Sequence, residues 1–200
     1  MRLYFFTAVL VALMSGCSVS TSPITEYRIG SNQKIVIDNS DSKCSEKSLK
    51  VAEAFSPNSL MSMDMNYVID ENKQFRYSQS QWSSSPNSAI TAEIVKLMRD
   101  IKLFKTVQIS KSRTKNDMVL EVSIDKFIQY FTQENKKSFV NVSITLTLID
   151  SKTSVAIATK TFDVKLDSKS LDAEGGVEAL NMALNKIFTQ SAKWIGGVCR

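Results

Sequence analysis

The chain has no histidine. That absence removes the Ser–His and Cys–His nucleophilic pairs, the usual zinc ligand sets and the commonest general base near neutral pH. Glycine is scarce, six residues in all, and none of it forms a phosphate-cradling loop, so the chain itself is not expected to hydrolyse nucleotides. No arginine-rich arm and no aromatic–glycine motif points to nucleic acid. No apolar run reaches the roughly 20 residues that a membrane-spanning helix needs. The formal charge of +5 is spread along the chain rather than gathered in one block, which fits plain solubility as well as a surface near anionic headgroups.

What is present starts at the N-terminus. Arg2 precedes a short apolar run, residues 3–14, which is followed by the small residues Ser15 and Gly16 and then by Cys17. A basic start, a short apolar core and small residues are the pattern of a cleavable signal peptide. The cysteine narrows it to a lipoprotein signal, with Met14 where leucine is usual; an ordinary secretory signal with a chance cysteine is the alternative. Residues 1–16 are therefore expected to be removed and Cys17 to carry acyl chains, each buried methylene contributing about 0.8 kcal/mol to anchoring. Ser18, rather than Asp, follows the cysteine. That points to the outer membrane, periplasmic face. Residues 17–26 then read as the lipidated cysteine and a small, polar tether, with a reach of only about 30 Å.

Residues 27–200 are long enough for one domain with a real core. Two cysteines remain, Cys44 and Cys199, and in an oxidising periplasm they are expected to pair; free thiols or a bond between chains are the alternatives. Such a bridge would tie the C-terminal tail to the loop after a second strand, read at residues 34–38.

The clearest periodicity is VNVSITLTL, residues 140–148, which alternates apolar and polar without a fault and predicts a strand with one buried face. DSKTS, residues 150–154, reads as a turn, and residues 155–166 as the returning strand, with a phase change near Thr159 that predicts a bulge. Met118, Leu120, Val122 and Ile124 form another alternating strand. Met65, Tyr67 and Ile69, then Phe75 and Tyr77, predict a hairpin across residues 70–73, and a short strand is expected at residues 27–29. Two stretches switch to helical spacing. From Pro86, with Ser85 placed to cap, Ile90, Ile94, Leu97, Met98 and Ile101 make one stripe. Val177, Leu180, Leu184, Ile187, Phe188 and Trp194 make another, with Asp172 and Glu174 at its start and Gly196–Gly197 expected to end it. The sum is α+β: an antiparallel sheet with two amphipathic helices packed on one face.

Candidate chemistry is thin. Ser31 and Lys34 match S-x-x-K, but a strand rather than a helix is expected there, and the supporting motifs are absent. Asp38, Asn39, Asp41 and Ser42 offer oxygens without EF-hand spacing or its glycine, so a solvated loop is the plainer identity. No catalytic residue, metal or cofactor is expected. Lys111, Arg113 and Lys115 read as a solvated loop between strands, or as a contact for lipid phosphates or an acidic partner. Phe127, Ile128, Tyr130, Phe131 and Phe139 are an aromatic cluster that either closes the core or, if exposed, contacts a protein or an acyl chain.

From residue 60 to residue 90 the order is a Tyr in one strand (Tyr67), a Tyr in the next (Tyr77), then Trp82 and Pro86 opening a helix. With LFKTVQIS at 103–110, the strand around Leu120, the hairpin from Val140 and a last helix reaching Trp194, this order resembles the ABC-type transport auxiliary lipoprotein family, the group containing paraquat-inducible protein C. The resemblance implies a non-enzymatic, outer-membrane-tethered accessory of an intermembrane lipid transport system, and a homo-oligomer is a further expectation for this chain. Its implied partners are an MCE-domain protein, an ABC permease and an ATPase. On that reading Tyr67, Tyr77 and Trp82 are expected in the core, with an interface as the alternative. A lipoprotein that activates or scaffolds an envelope-biogenesis enzyme is the alternative.

Overall fold

The computed structural model describes residues 23–31, 33–38, 42–70, 72–132 and 136–200. The signal segment, Cys17 and most of the tether lie outside the described residues, as do Asn32, Asn39 and Asp41. The elements run β1 (Thr25–Tyr27), β2 (Ser48–Val51), a 3-10 turn (Asn58–Leu60), β3 (Asp64–Ile69), β4 (Lys73–Trp82), α1 (Pro86–Asp100), β5 (Thr106–Ile109), β6 (Met118–Phe131), β7 (Ser138–Asp150), β8 (Val155–Asp167) and α2 (Ala173–Val198).

All eight strands belong to one sheet, built around β6. On one side β6 pairs along its length with β7, and β7 with β8, both antiparallel. The other side of β6 is shared end to end: β2 pairs with its first residues, Leu49 to Val51 against Met118 to Leu120, and β3 with its last, Tyr67 to Ile69 against Gln129 to Phe131. Those two pairings are parallel, and a bridge from Phe55 to Ser123 spans the gap between them. β5 extends the sheet beyond β2 in parallel, while β4 and then β1 extend it beyond β3. The class is α+β, and the two hairpins are antiparallel, but the whole sheet is mixed. Alternation identifies strands that are adjacent in sequence; it carries no sign of which distant strands pair, or in which direction.

Val140, Val142, Ile144, Leu146 and Leu148 turn inward from β7 and are at most 1% exposed. On β6 the inward set begins at even positions, Leu120, Val122 and Ile124, and continues at odd ones, Phe127 and Gln129. Asp125 is the cause: Ile124 faces Ile144 and Lys126 faces Ser143, so Asp125 is the extra residue of a bulge. The bulge expected in β8 is at Ile157, because Leu148 faces Ala158 and Ile149 faces Ala156. Both helices pack on this inner face, α1 against β2, β5 and β6, and α2 against β6, β7 and β8.

Three expectations are corrected. No strand forms at residues 34–38: residues 28–31 and 33–38 are instead an extended strap laid over the helices, with Ile35 buried, Ile37 packed on the core and Val36 exposed. Its alternation is met by the helices rather than by a sheet. The strap is held by Gly30 N–H donating to Asn181 Oδ1 at 3.2 Å, by the Asn181 amide donating to the Arg28 carbonyl, and by Ser31 N–H donating to Glu93 at 3.2 Å. Second, Gly196 and Gly197 do not end α2, which runs to Val198. Gly196 lies inside the packed face, where an added Cβ would stand 3.3 Å from Ile37 Cδ1, so it is small for the strap rather than for a turn. Third, Ser85 occupies the cap position of α1 without a capping hydrogen bond from its side chain, leaving Pro86 as the local start signal.

Cys44 and Cys199 are joined by a disulfide, with their Cα atoms 5.4 Å apart. It fastens the end of α2 to the loop before β2, and Lys43 N–H donates to the Cys199 carbonyl beside it at 2.7 Å.

Candidate interaction surface

The four aromatics singled out in the sequence fall in three places. Phe127 is 4% exposed, its ring 5.6 Å from that of Trp82, and belongs to the core; the Asp125 bulge turns it inward, so it is no contact residue. Tyr130 and Phe139 face each other across β6 and β7 on the helix-free side, rings stacked at 5.1 Å, with Lys165 Nζ 3.7 Å from the Phe139 centroid. Phe131 lies on the helix side, at the far end of β6.

There it joins a second group. Tyr67 sits at the centre, its ring 5.7 Å from Phe75, 4.6 Å from Tyr77 and 5.4 Å from Phe131. Tyr67 and Tyr77 are half-buried and Phe75 is exposed, so only Trp82 of the three expected core aromatics is fully inside. The group borders the start of α2 and leads into a buried polar network. Tyr77 donates its hydroxyl to Gln129 Oε1 at 3.0 Å; the Gln129 amide donates to Ser138 Oγ at 2.6 Å and to the Asp172 carbonyl at 3.1 Å. Gln129, at 2% exposure, thus has partners for both ends of its amide. Burial, followed by the charges of Tyr67, Asp172 and Tyr27, pushes the Tyr77 pKa up, so its hydroxyl stays a donor. Asp172 caps α2 by accepting from Gly175 N–H at 2.8 Å and from Ser170 Oγ at 2.6 Å, and those two bonds hold its carboxyl below the ordinary range.

Gln129 escaped the sequence reading. The available signal was a long amide at a position where β6, once its bulge is allowed for, faces the core. Gly175 and Gly176 escaped it too. An added Cβ at Gly176 runs into the Gln129 amide, and one at Gly175 meets the backbone N and O of Ser170 at 2.8 Å. Gly175→Ala is therefore expected to lower stability by about 1–3 kcal/mol, although alanine is ~1 kcal/mol better than glycine inside a helix. Gly197, with nothing within 4 Å of an added Cβ, is the internal comparison. Gly197→Ala is expected to stabilise by up to ~1 kcal/mol. Urea unfolding of the two variants decides; equal stabilisation of both would show that the first turn of α2 is free to move off Ser170.

The chemical rivals are not assembled. Ser31 lies in the strap, not at a helix start; its carbonyl accepts from Lys96 Nζ at 3.4 Å and its hydroxyl from Gln33 N–H at 3.4 Å. Lys34 lines a shallow groove of about 270 Å³ with Glu93, Lys96 and Asp100 and makes no bond to Ser31 Oγ. Of the oxygen-rich loop, Asp38 pairs with Arg200 at 3.9 Å and Ser42 Oγ donates to the Leu103 carbonyl at 3.4 Å. Among the described residues no helix is long and apolar enough to cross a membrane.

Ring clusters, a satisfied polar network and a long-range disulfide are the features that the described residues bring together here. A family model described as ABC-type transport auxiliary lipoprotein component matches residues 37–192, and the chain belongs to that family. The fold is shared with a solved protein of Xanthomonas campestris, 17% identical, covering 87% of this chain and 96% of that one with a TM-score of 0.74. A solved but uncharacterised protein, 15% identical, covers 81% of this chain and 98% of its own with a TM-score of 0.61. No curated protein sequence matches.

Proposed function

We propose that the chain is a non-enzymatic accessory subunit of an intermembrane lipid transport system, held on the periplasmic face of the outer membrane by acyl chains on Cys17. The observation that carries this reading is the family match over residues 37–192, behind an N-terminal LVALMSGC that has the form of a lipoprotein signal. The fold supports it: two aromatic groups, around Tyr67 and around Phe139, offer contact area without catalytic machinery. The partner assigned is an MCE-domain protein working with an ABC permease and an ATPase, and the task of this subunit is to fix the outer-membrane end of the conduit. Affinity capture from detergent-solubilised envelopes tests it. Recovery of the MCE-domain protein is the expected result; recovery of a peptidoglycan synthase in its place would assign the chain to an envelope-biogenesis enzyme instead.

A further inference from the structure

β5 ends the sheet: it pairs with β2 on one side and, among the described residues, with no strand on the other. A strand edge left open presents unpaired backbone donors and acceptors, and proteins normally cover or blunt it. At the end of that edge, Ile109 of β5 and the Ser110 and Lys111 that follow it line a groove of about 340 Å³ with the flank of α1 and Glu53. Its apolar floor is Ala92 and Val95 of α1 and Ile109 of β5, the last 47% exposed. Arg99 closes one end, its guanidinium donating to the Val107 carbonyl at 3.3 Å. At the other end the chain turns into the loop that carries Lys111, Arg113 and Lys115. None of these three meets a carboxylate among the described residues. The loop is held in place from beneath, because Lys50 Nζ donates to the Ser112 and Thr114 carbonyls, both at 3.1 Å. Against these three cations stand two nearby carboxylates: Asp117, which accepts from the Ser48 N–H and hydroxyl at 2.8 and 2.7 Å, and Glu53, the single acid lining the groove.

We infer that this groove binds an extended, acidic peptide segment of a partner protein, which adds to the edge of β5, places small apolar side chains over Ala92, Val95 and Ile109, and lays its carboxylates against Lys111, Arg113 and Lys115. Backbone pairing supplies the affinity in such additions, and alternate side chains and charge supply the specificity. A peptide fits better than a bilayer because of place as well as chemistry. The groove lies beside the first residues of β6, through β2, whereas the tether enters at β1, beyond the strands that pair with the last residues of β6. The inference rests on the proposed function in one respect, that the partner is a protein of the same transport assembly.

The test uses the purified mature protein in detergent and two fluorescent eight-residue probes, one alternating valine with glutamate and one alternating valine with lysine. The glutamate probe is expected to bind, with affinity falling as salt rises, and the lysine probe at least tenfold more weakly. K111E/R113E/K115E is expected to lower the affinity at least tenfold. Ala92→Arg, which fills the groove while adding positive charge, is expected to abolish binding. Equal binding of the two probes, or glutamate-probe binding that survives Ala92→Arg, would overturn the inference. So would a lack of probe binding with salt-sensitive binding to phosphatidylglycerol vesicles, which would make the loop a membrane contact. Capture of the MCE-domain protein by K111E/R113E/K115E at the native level would sink the groove as the assembly contact and leave the proposed function standing; failure of the native chain to capture it would do the reverse.

Discussion

C44A/C199A is expected to unfold about 5 kcal/mol more easily than the native chain, the upper value for removing a cross-link that closes a loop of this length. The bond joins residues 155 apart in sequence, so its removal restores to the unfolded chain most of the freedom that the cross-link takes away. For a domain of this size roughly 2–4 °C accompanies each kcal/mol, which places the melting point about 10–20 °C lower. Both cysteines are almost fully buried, so alanine leaves small apolar groups in their places and adds no polar group to the core. Melting with and without dithiothreitol checks the assignment: the native chain should fall to the level of the double variant, and the double variant should ignore the reductant. A native chain that melts identically in both conditions, and with C44A/C199A, would show that the bond contributes nothing.

The second large effect concerns Cys17. A single acyl chain gives only marginal, reversible membrane binding, about 10⁴ M⁻¹, whereas two or three chains together make a stable anchor. Cys17→Ala is expected to move the protein from the membrane pellet to the soluble or unprocessed fraction, and intact mass should show the loss of the acyl groups. Ser18→Asp is expected to keep the mass and shift the protein to the inner membrane. A native N-terminus without added mass, or native protein shed into the periplasmic fraction, would remove the anchor on which the proposed function stands.

The sequence disclosed elements whose partners are local. The hairpin of β7 and β8 and the stripes of α1 and α2 were legible because burial of one face imposes period two on a strand and 3.6 on a helix. β2 was not read: SLKV is too short to show a period, and its pairing with β5 and β6 depends on residues about 60 or more positions away. The strap misled for a related reason, since Ile35 and Ile37 alternate with an exposed Val36 on a surface made of helices rather than strands. Phe127 was left open between core and surface because one inserted residue, Asp125, exchanges the faces of everything after it. The aromatic run therefore looked like one cluster and is three. Gln129 and Gly176 take their roles only once β6 and α2 touch, and Gly175 only once the turn at Ser170 folds against the start of α2.

The strap and its cross-link also decide how the domain answers a pull on its anchor. Force entering at residue 17 reaches β1 first, a strand of three residues on the edge of the sheet, and then the strap, which a few side-chain hydrogen bonds and two isoleucines hold down. Both peel before any interior strand is loaded. At Cys44 the load divides, one path continuing along the chain into β2 and the other crossing the sulfurs into the end of α2, so two arms share it. Between residue 17 and Cys44 the chain can therefore pay out up to roughly 90 Å at ~3.3 Å per residue before the cross-linked part of the domain bears the load.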